Sequence, residues 1–208
     1  ILREIPRTLK RLALALFCVL AVFIVAGWVG AQQAQIFVLP PEIMDIRNLQ
    51  DGFVQSVEGF ESLRFFSVES VPLVAMHNLR AVLLATVIGI FSFGVMGLIV
   101  LMLPFIIIGY FTVTAARAGI SPALFLGAFI LPHGILEIPA IAIAGAAILR
   151  MGATLSTPAQ GKTIGEALLR ALADWVKAIL IFVIPLLIGA AALEVFVTPA
   201  VVLRIFGG

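Results

Sequence analysis

Two residues that can carry acid–base or metal chemistry lie four positions apart in the stretch LPHGILEIPAI, from Leu131 to Ile141. If this stretch is helical, His133 and Glu137 share one face. The surrounding sequence is apolar enough to cross a membrane, where an ionised side chain costs at least about 2.5–3.5 kcal/mol. Glu137 must therefore be paired, hydrated or protonated.

The same stretch contains residues that oppose a regular helix. Pro132 and Pro139 lack a backbone N–H, and Gly134 weakens a helix further. The sequence therefore predicts that the fourth membrane span is broken at a Pro-His-Gly motif. A broken helix at membrane depth is tolerated only where protein or a wet cavity surrounds it.

Other polar residues in the apolar segments are candidates to meet this pair. Arg80 lies at the start of the second predicted span, and Glu194 lies in the outer half of the fifth. In the predicted topology these residues reach the same half of the bundle. We therefore expect one intramembrane polar cluster, composed of His77, Asn78, Arg80, His133, Glu137 and Glu194.

These polar residues do not form a recognised catalytic motif. A zinc protease needs two histidines one turn apart, as in H-E-x-x-H, whereas this chain has only His77 and His133. Two histidines and a glutamate can bind a metal, but their spacing is not diagnostic. Neither Ser92 nor Ser121 has an assigned base. We therefore predict no catalytic residue, no metal ligand and no cofactor, and the cluster is either structural or part of a substrate path.

Composition places the chain in a membrane. Of 208 residues, 62% are hydrophobic and 12% are charged, whereas soluble domains are roughly 45–50% apolar and about 25% charged. Backbone groups in lipid must be satisfied internally, and the apolar runs lack the alternation of a barrel, so the spans are helices. The net charge of +2 is too small to indicate nucleic-acid binding.

The predicted fold is an all-α, polytopic transmembrane bundle that forms a single integral membrane domain over residues 1–208. About 20 residues cross the hydrocarbon core, and the apolar runs accommodate five spans. The second and third spans form a tight hairpin at GIFSFGVMG. The predicted spans cover about 12–30, 78–93, 95–116, 122–149 and 178–202.

Two amphipathic segments connect the predicted spans. An acidic outer loop over 40–72 has apolar residues at helical spacing, including Phe53, Val57 and Phe60. This apolar stripe either packs on the protein's own spans or lies in the membrane interface, or it is a docking surface for a partner outside the membrane. An inner amphipathic helix is predicted over 163–176, because Thr163 and Glu166 have the spacing of a capping box.

Charge placement predicts the orientation in the membrane. Basic residues precede the first span and gather again between the fourth and fifth, whereas the 40–72 loop is acidic. Because cytoplasmic segments carry an excess of Lys and Arg, we expect a cytoplasmic N-terminus in a multi-pass protein. The basic residues are Arg3, Arg7, Lys10, Arg11, Arg150, Lys162, Arg170 and Lys177.

Small residues are concentrated in AIAIAGAAIL (140–149) and GAAAL (189–193). Such residues let membrane helices approach closely. Contacts within one chain are favoured over dimerisation, and a homo-oligomer is the alternative.

The chain resembles the stage II sporulation protein M family of integral membrane proteins. The resemblance runs from Asn78 to Pro199, and its most specific parts are LPHGILEIPAIAIAGAAIL and VIPLLIGAAALEVFVTP. It implies a prokaryotic inner membrane and a multi-protein assembly, since sporulating members are membrane partners of cell-wall hydrolases. It supplies no established catalytic residues.

Three functional hypotheses follow. The leading one is a non-enzymatic integral membrane subunit that anchors or organises other membrane or envelope proteins, with a link to cell-envelope remodelling implied by the resemblance. The first alternative is a transport or export subunit whose polar pathway lies at the broken fourth helix. The second alternative is an intramembrane hydrolase.

Overall fold

The computed structural model describes residues 5–38, 65–157, 161 and 163–206. Within these ranges the chain forms five helices that are each long and apolar enough to span a membrane, and it forms no strand. The predicted all-α, five-span class is therefore confirmed. The helices are α1 (Ile5–Ile36), α2 (Ser70–Phe91), α3 (Val95–Arg117), α4 (Pro122–Ser156) and α5 (Ile164–Phe206).

A three-residue turn connects α2 to α3, as the glycine-containing sequence predicts. Gly94 has φ +92°, a conformation that costs glycine little because it has no Cβ. The Gly94 N–H donates to the Gly89 carbonyl at 2.7 Å, and the Ser92 hydroxyl accepts from the N–H of Met96 at 3.1 Å. We call the end of the bundle that contains this turn the hairpin face, and the opposite end the loop face.

The backbones of α1 and α3 are in direct contact. A Cβ added to Gly30 would lie 1.9 Å from the carbonyl oxygen of Ile106, and one added to Gly109 would lie 1.9 Å from that of Gly27. These positions accept only glycine without a backbone shift, so the small residues allow the close approach.

Side chains of α3 donate hydrogen bonds to carbonyl groups at the end of α1, at the loop face. The Arg117 guanidinium donates to the carbonyl of Ala34, and the Tyr110 hydroxyl donates to that of Phe37 at 2.9 Å. The last carbonyls of a helix have no partner within the helix, so these two bonds fix the end of α1 on α3.

Helix α4 lies at the centre of the bundle and contacts each of the other four helices. All nine residues from Ala140 to Ile148 are buried, which means that this part of the helix is covered on every side. The small-residue stretch that the sequence singles out is therefore occupied by contacts within the chain.

The outer surface of the bundle is apolar. Large side chains such as Ile24, Trp28 and Phe91 are 75%, 63% and 84% exposed. In an 18-residue apolar stretch of each of the five helices, at most 33% of the stretch is buried inside the protein. Exposed apolar surface of this extent is expected where helices face lipid rather than water.

Helices α4 and α5 contain three π-helical segments of five residues each. Each segment ends two residues before a proline, which cannot donate to the carbonyl one turn back and whose ring clashes with it. A π turn shifts that carbonyl away, so the helix continues. The segments are Leu126–Ile130, Ile179–Val183 and Leu193–Val197, and their prolines are Pro132, Pro185 and Pro199.

The predicted break of the fourth span is corrected by this geometry. The chain is α-helical from Leu131 to Ser156, through Pro132, Gly134 and Pro139. The irregularity lies one turn earlier, in the π segment, and Pro132 follows it at the start of the α-helical part, where its missing N–H is tolerated. The span is therefore continuous, with a π-helical segment in place of a break.

The predicted inner amphipathic helix is the first part of α5. Thr163 and Glu166 form a reciprocal capping box, with N–O distances of 3.3 and 3.0 Å. The helix then continues through the second π segment, so the amphipathic part and the fifth span are one element. Most of the predicted outer loop lies outside the described residues, including Phe53, Val57 and Phe60.

Candidate intramembrane polar site

Three ionisable side chains meet between α4 and α5 in the half of the bundle nearer the loop face. The Nε2 atom of His133 lies 3.7 Å from the Oε2 atom of Glu137. One side-chain nitrogen or oxygen from each of His133, Glu137 and Glu194 lies within 4.8 Å of the other two. Together with Thr198, whose hydroxyl oxygen lies 3.1 Å from His133 Nδ1, they form what we call the polar site.

The local structure of α5 aims two of these residues at α4. Glu194 lies inside the third π segment, and Thr198 is the first residue after that segment. Their four-residue spacing places both on one face of the helix. On α4, His133 and Glu137 have the same spacing and begin just after the first π segment. Thus each helix contributes two residues that lie in or near a π segment. Such segments are often found at functional sites.

The polar site is partly shielded and carries two carboxyl groups. The side chains of His133 and Glu137 are 14% and 21% exposed, and Glu194 is half-buried. Among the described residues, no Lys or Arg forms an ion pair with Glu137 or Glu194. Two ionised carboxylates at this separation repel each other in a medium of low dielectric constant. A proton or a bound cation is needed to hold them together.

The other members of the predicted cluster are residues of α2. Arg80 and His77 are exposed on α2, and Asn78 is half-buried there. The structure brings His133, Glu137 and Glu194 together, whereas the expected Arg80–Glu137 ion pair is not formed. The sequence reasoning missed Thr198, although its position four residues after Glu194 was a signal that both residues face the same neighbour.

The segment before α2 closes over the third π segment. The N–H of Phe66 donates to the carbonyl of Val195 at 3.1 Å, and Val74, Ala191 and Val195 form a small buried apolar cluster alongside. A π segment leaves carbonyls without their usual partners, and Phe66 satisfies one of them. This side of α5 is therefore covered by protein.

Towards the hairpin face the polar site ends at apolar packing. Ala140, Ala144 and Ile148 of α4 are each 0% exposed and belong to the main hydrophobic core. The buried hydroxyl of Thr86 in the neighbouring helix α2 donates to the carbonyl of Val82 in its own helix at 2.8 Å. In the described part of the chain, the polar site is not continued by polar groups through this core.

These features define a polytopic helical membrane protein with a polar site between its last two helices. The family model of Stage II sporulation protein M matches residues 13–199, and the chain belongs to this family. The resemblance noted in the sequence is thereby confirmed. Comparisons with curated proteins and with solved structures found no match.

Proposed function

We propose that this protein is a non-enzymatic integral membrane subunit that anchors or organises a multi-protein assembly of the prokaryotic cell envelope. The observation that carries the proposal is the closed centre of the bundle, where Ala140–Ile148 is buried on all sides. A helix packed in this way is a rigid support for partners. Family membership supports a membrane role without specifying it.

A transport or export subunit is the second candidate. Ionisable residues within membrane spans often mark substrate or proton pathways, and the polar site supplies His133, Glu137 and Glu194. A pathway must continue across the membrane, however, and apolar packing against α4 faces the polar site on its hairpin side. The closed packing therefore favours the organising role over conduction.

An intramembrane hydrolase would use Thr198 as the nucleophile and His133 as its base. The Thr198–His133 contact of 3.1 Å suits such a pair. A catalytic triad also needs a carboxylate hydrogen-bonded to the other imidazole nitrogen, and the 3.7 Å separation from Glu137 exceeds hydrogen-bond length. We do not propose this role.

The proposal is tested by partner recovery from cells. Changing Phe53 and Phe60 to Ser together should remove co-purifying envelope proteins, because we propose that the outer loop docks them. A matched control changes two exposed phenylalanines of the bundle, Phe37 and Phe91, to Ser. Membrane insertion is compared by fractionation. Equal recovery of the same partners from both double variants would contradict the docking role.

We further propose that the hairpin face is cytoplasmic. Among the described residues, Arg150, Arg170 and Lys177 lie in the segments at that face, which fits the excess of basic residues in cytoplasmic segments. In a protein with Cys18 replaced by Ala, cysteines at Gln50 and Gln160 should label from outside and inside, respectively, with an impermeant thiol reagent. Labelling of the Gln160 position from outside would contradict the orientation.

A further inference from the structure

We propose that the polar site binds one divalent transition-metal ion, with His133, Glu137 and Glu194 as its protein ligands. Their ligand atoms come from two helices and all lie within 4.8 Å of one another. This reverses the expectation from the sequence, which places Glu194 57 residues from Glu137 and could not show that they meet. The inference is independent of the proposed organising role.

The distances suit a small first-row metal ion. Zinc binds imidazole nitrogen and carboxylate oxygen at about 2.0–2.2 Å, which puts two ligands of a tetrahedral ion about 3.4 Å apart. The His133–Glu137 separation of 3.7 Å is already close to that value. Glutamate has several rotatable side-chain bonds, so a contraction of at most about 1.4 Å at Glu194, from 4.8 Å to about 3.4 Å, would complete the set of three ligands.

The imidazole of His133 is oriented for a ligand. When its Nδ1–H donates to the Thr198 hydroxyl oxygen at 3.1 Å, Nε2 carries the lone pair and lies 3.7 Å from the Glu137 carboxylate. Metal-binding histidines are commonly held in this way by a second hydrogen bond on the other ring nitrogen. At 3.7 Å from Glu137, Nε2 is not engaged in a hydrogen bond with that carboxylate.

The charge of the site also calls for a cation. Glu137 and Glu194 face each other with no Lys or Arg paired to either among the described residues. One divalent ion neutralises both carboxylates and ties α4 to α5.

The donor set indicates which ion is preferred. Imidazole suits zinc and iron, and carboxylates also suit manganese, whereas calcium and magnesium prefer oxygen ligands alone. Zinc binds such sites more tightly than manganese or ferrous iron in the usual affinity order. Zn²⁺ is therefore the probe, and an excess of Mg²⁺ or Ca²⁺ is not expected to displace it.

The experiment uses the full chain, purified in detergent without a polyhistidine tag and stripped with a chelator. After dialysis against Zn²⁺, elemental analysis should find about one ion per chain, and zinc should raise the melting temperature because it binds the folded state. Glu194→Gln and His133→Ala should lose both effects. Their matched controls, Glu69→Gln and His77→Ala, change exposed residues outside the polar site and should retain both.

The zinc content and the melting temperature of the unsubstituted protein test the proposal without any variant. Far less than one zinc per chain, with no rise in melting temperature, would show that a proton rather than a metal joins the carboxylates, and the proposal would be wrong. Stoichiometric zinc that survives both Glu194→Gln and His133→Ala would place the ion elsewhere and would equally overturn it. Should either variant fail to purify, Glu137→Gln replaces it in the comparison.

Discussion

The stretches of α4 on either side of Pro139 are held in place by different means. Before it, residues 126–138 include a π segment, are mostly half-buried, and contact α5 through His133 and Glu137. After it, residues 140–152 are mostly small or aliphatic, nearly all buried, and pack against all four other helices.

The difference indicates that the stretch after Pro139 has a structural role and that the stretch before it has a chemical role. Small side chains in lipid gain from close van der Waals packing, so the second stretch tolerates little change in volume. The first stretch depends on particular polar atoms and on the helix irregularity that aims them. Substitutions that add volume in the second stretch should therefore lower stability, and substitutions of the polar residues in the first stretch should weaken ligand binding.

The largest effect is expected for Gly152→Ala in the tightly packed stretch. The new Cβ would lie 1.9 Å from the carbonyl oxygen of Phe93, so backbone must move, and overpacking of this kind costs about 1–3 kcal/mol. Thermal or denaturant unfolding in mixed micelles measures it. Gly127→Ala is the control, since its Cβ meets nothing within 4 Å and alanine should stabilise by about 0.4–1 kcal/mol. Equal changes in the free energy of unfolding for the two variants would contradict the claim that the second stretch is more tightly packed than the first.

A smaller effect is expected for Thr198→Val in the polar site. The change removes the hydroxyl that orients His133 while keeping the shape of the side chain. Loss of such an orienting group typically weakens metal binding about 10–100-fold, and zinc titration of the purified chain measures the change. Thr86→Val is the matched control, because that hydroxyl bonds only its own helix. Unchanged zinc affinity in Thr198→Val would show that Thr198 does not orient a ligand.

The smallest effect is expected from the prolines that follow the π segments. Pro199→Ala allows the segment containing Glu194 to relax towards a regular helix, which rotates that side chain away from α4. Zinc affinity should fall by less than in Thr198→Val, because the rest of the packing resists the rotation. Pro104→Ala is the control, because Pro104 lies within α3, outside the two helices that carry the polar site, and the change should leave zinc affinity unchanged. Indistinguishable zinc affinities in the two proline variants would show that the π segment does not position Glu194.

Much of the fold is visible in the sequence. Hydropathy gives the five helices, Gly94 gives the turn between α2 and α3, and Thr163 with Glu166 gives the start of α5. Each of these depends on residues close together in the chain. The helix bounds differ from the predicted spans because backbone hydrogen bonding continues beyond the apolar core, as where α2 begins at Ser70.

The polar site was only partly accessible to the same reasoning. Which face of α5 meets α4 depends on the number of π segments before Glu194, since each inserts about one residue and turns the helix by about 100°. The prolines signal an irregularity, but a break and a π segment have the same sequence signature at Pro132. For this reason Thr198 was not expected in the site.

Thiol accessibility along α4 tests most directly whether the centre of the bundle is closed. In a protein with Cys18 replaced by Ala, single cysteines at Ala144 and Ala147, which are 0% and 5% exposed, should resist a small water-soluble thiol reagent applied from either face. Cysteines at Ala118 and Thr157, exposed at the loop and hairpin faces, should react and serve as controls. Reaction at Ala144 would contradict the closed core and would favour a transport pathway through the polar site.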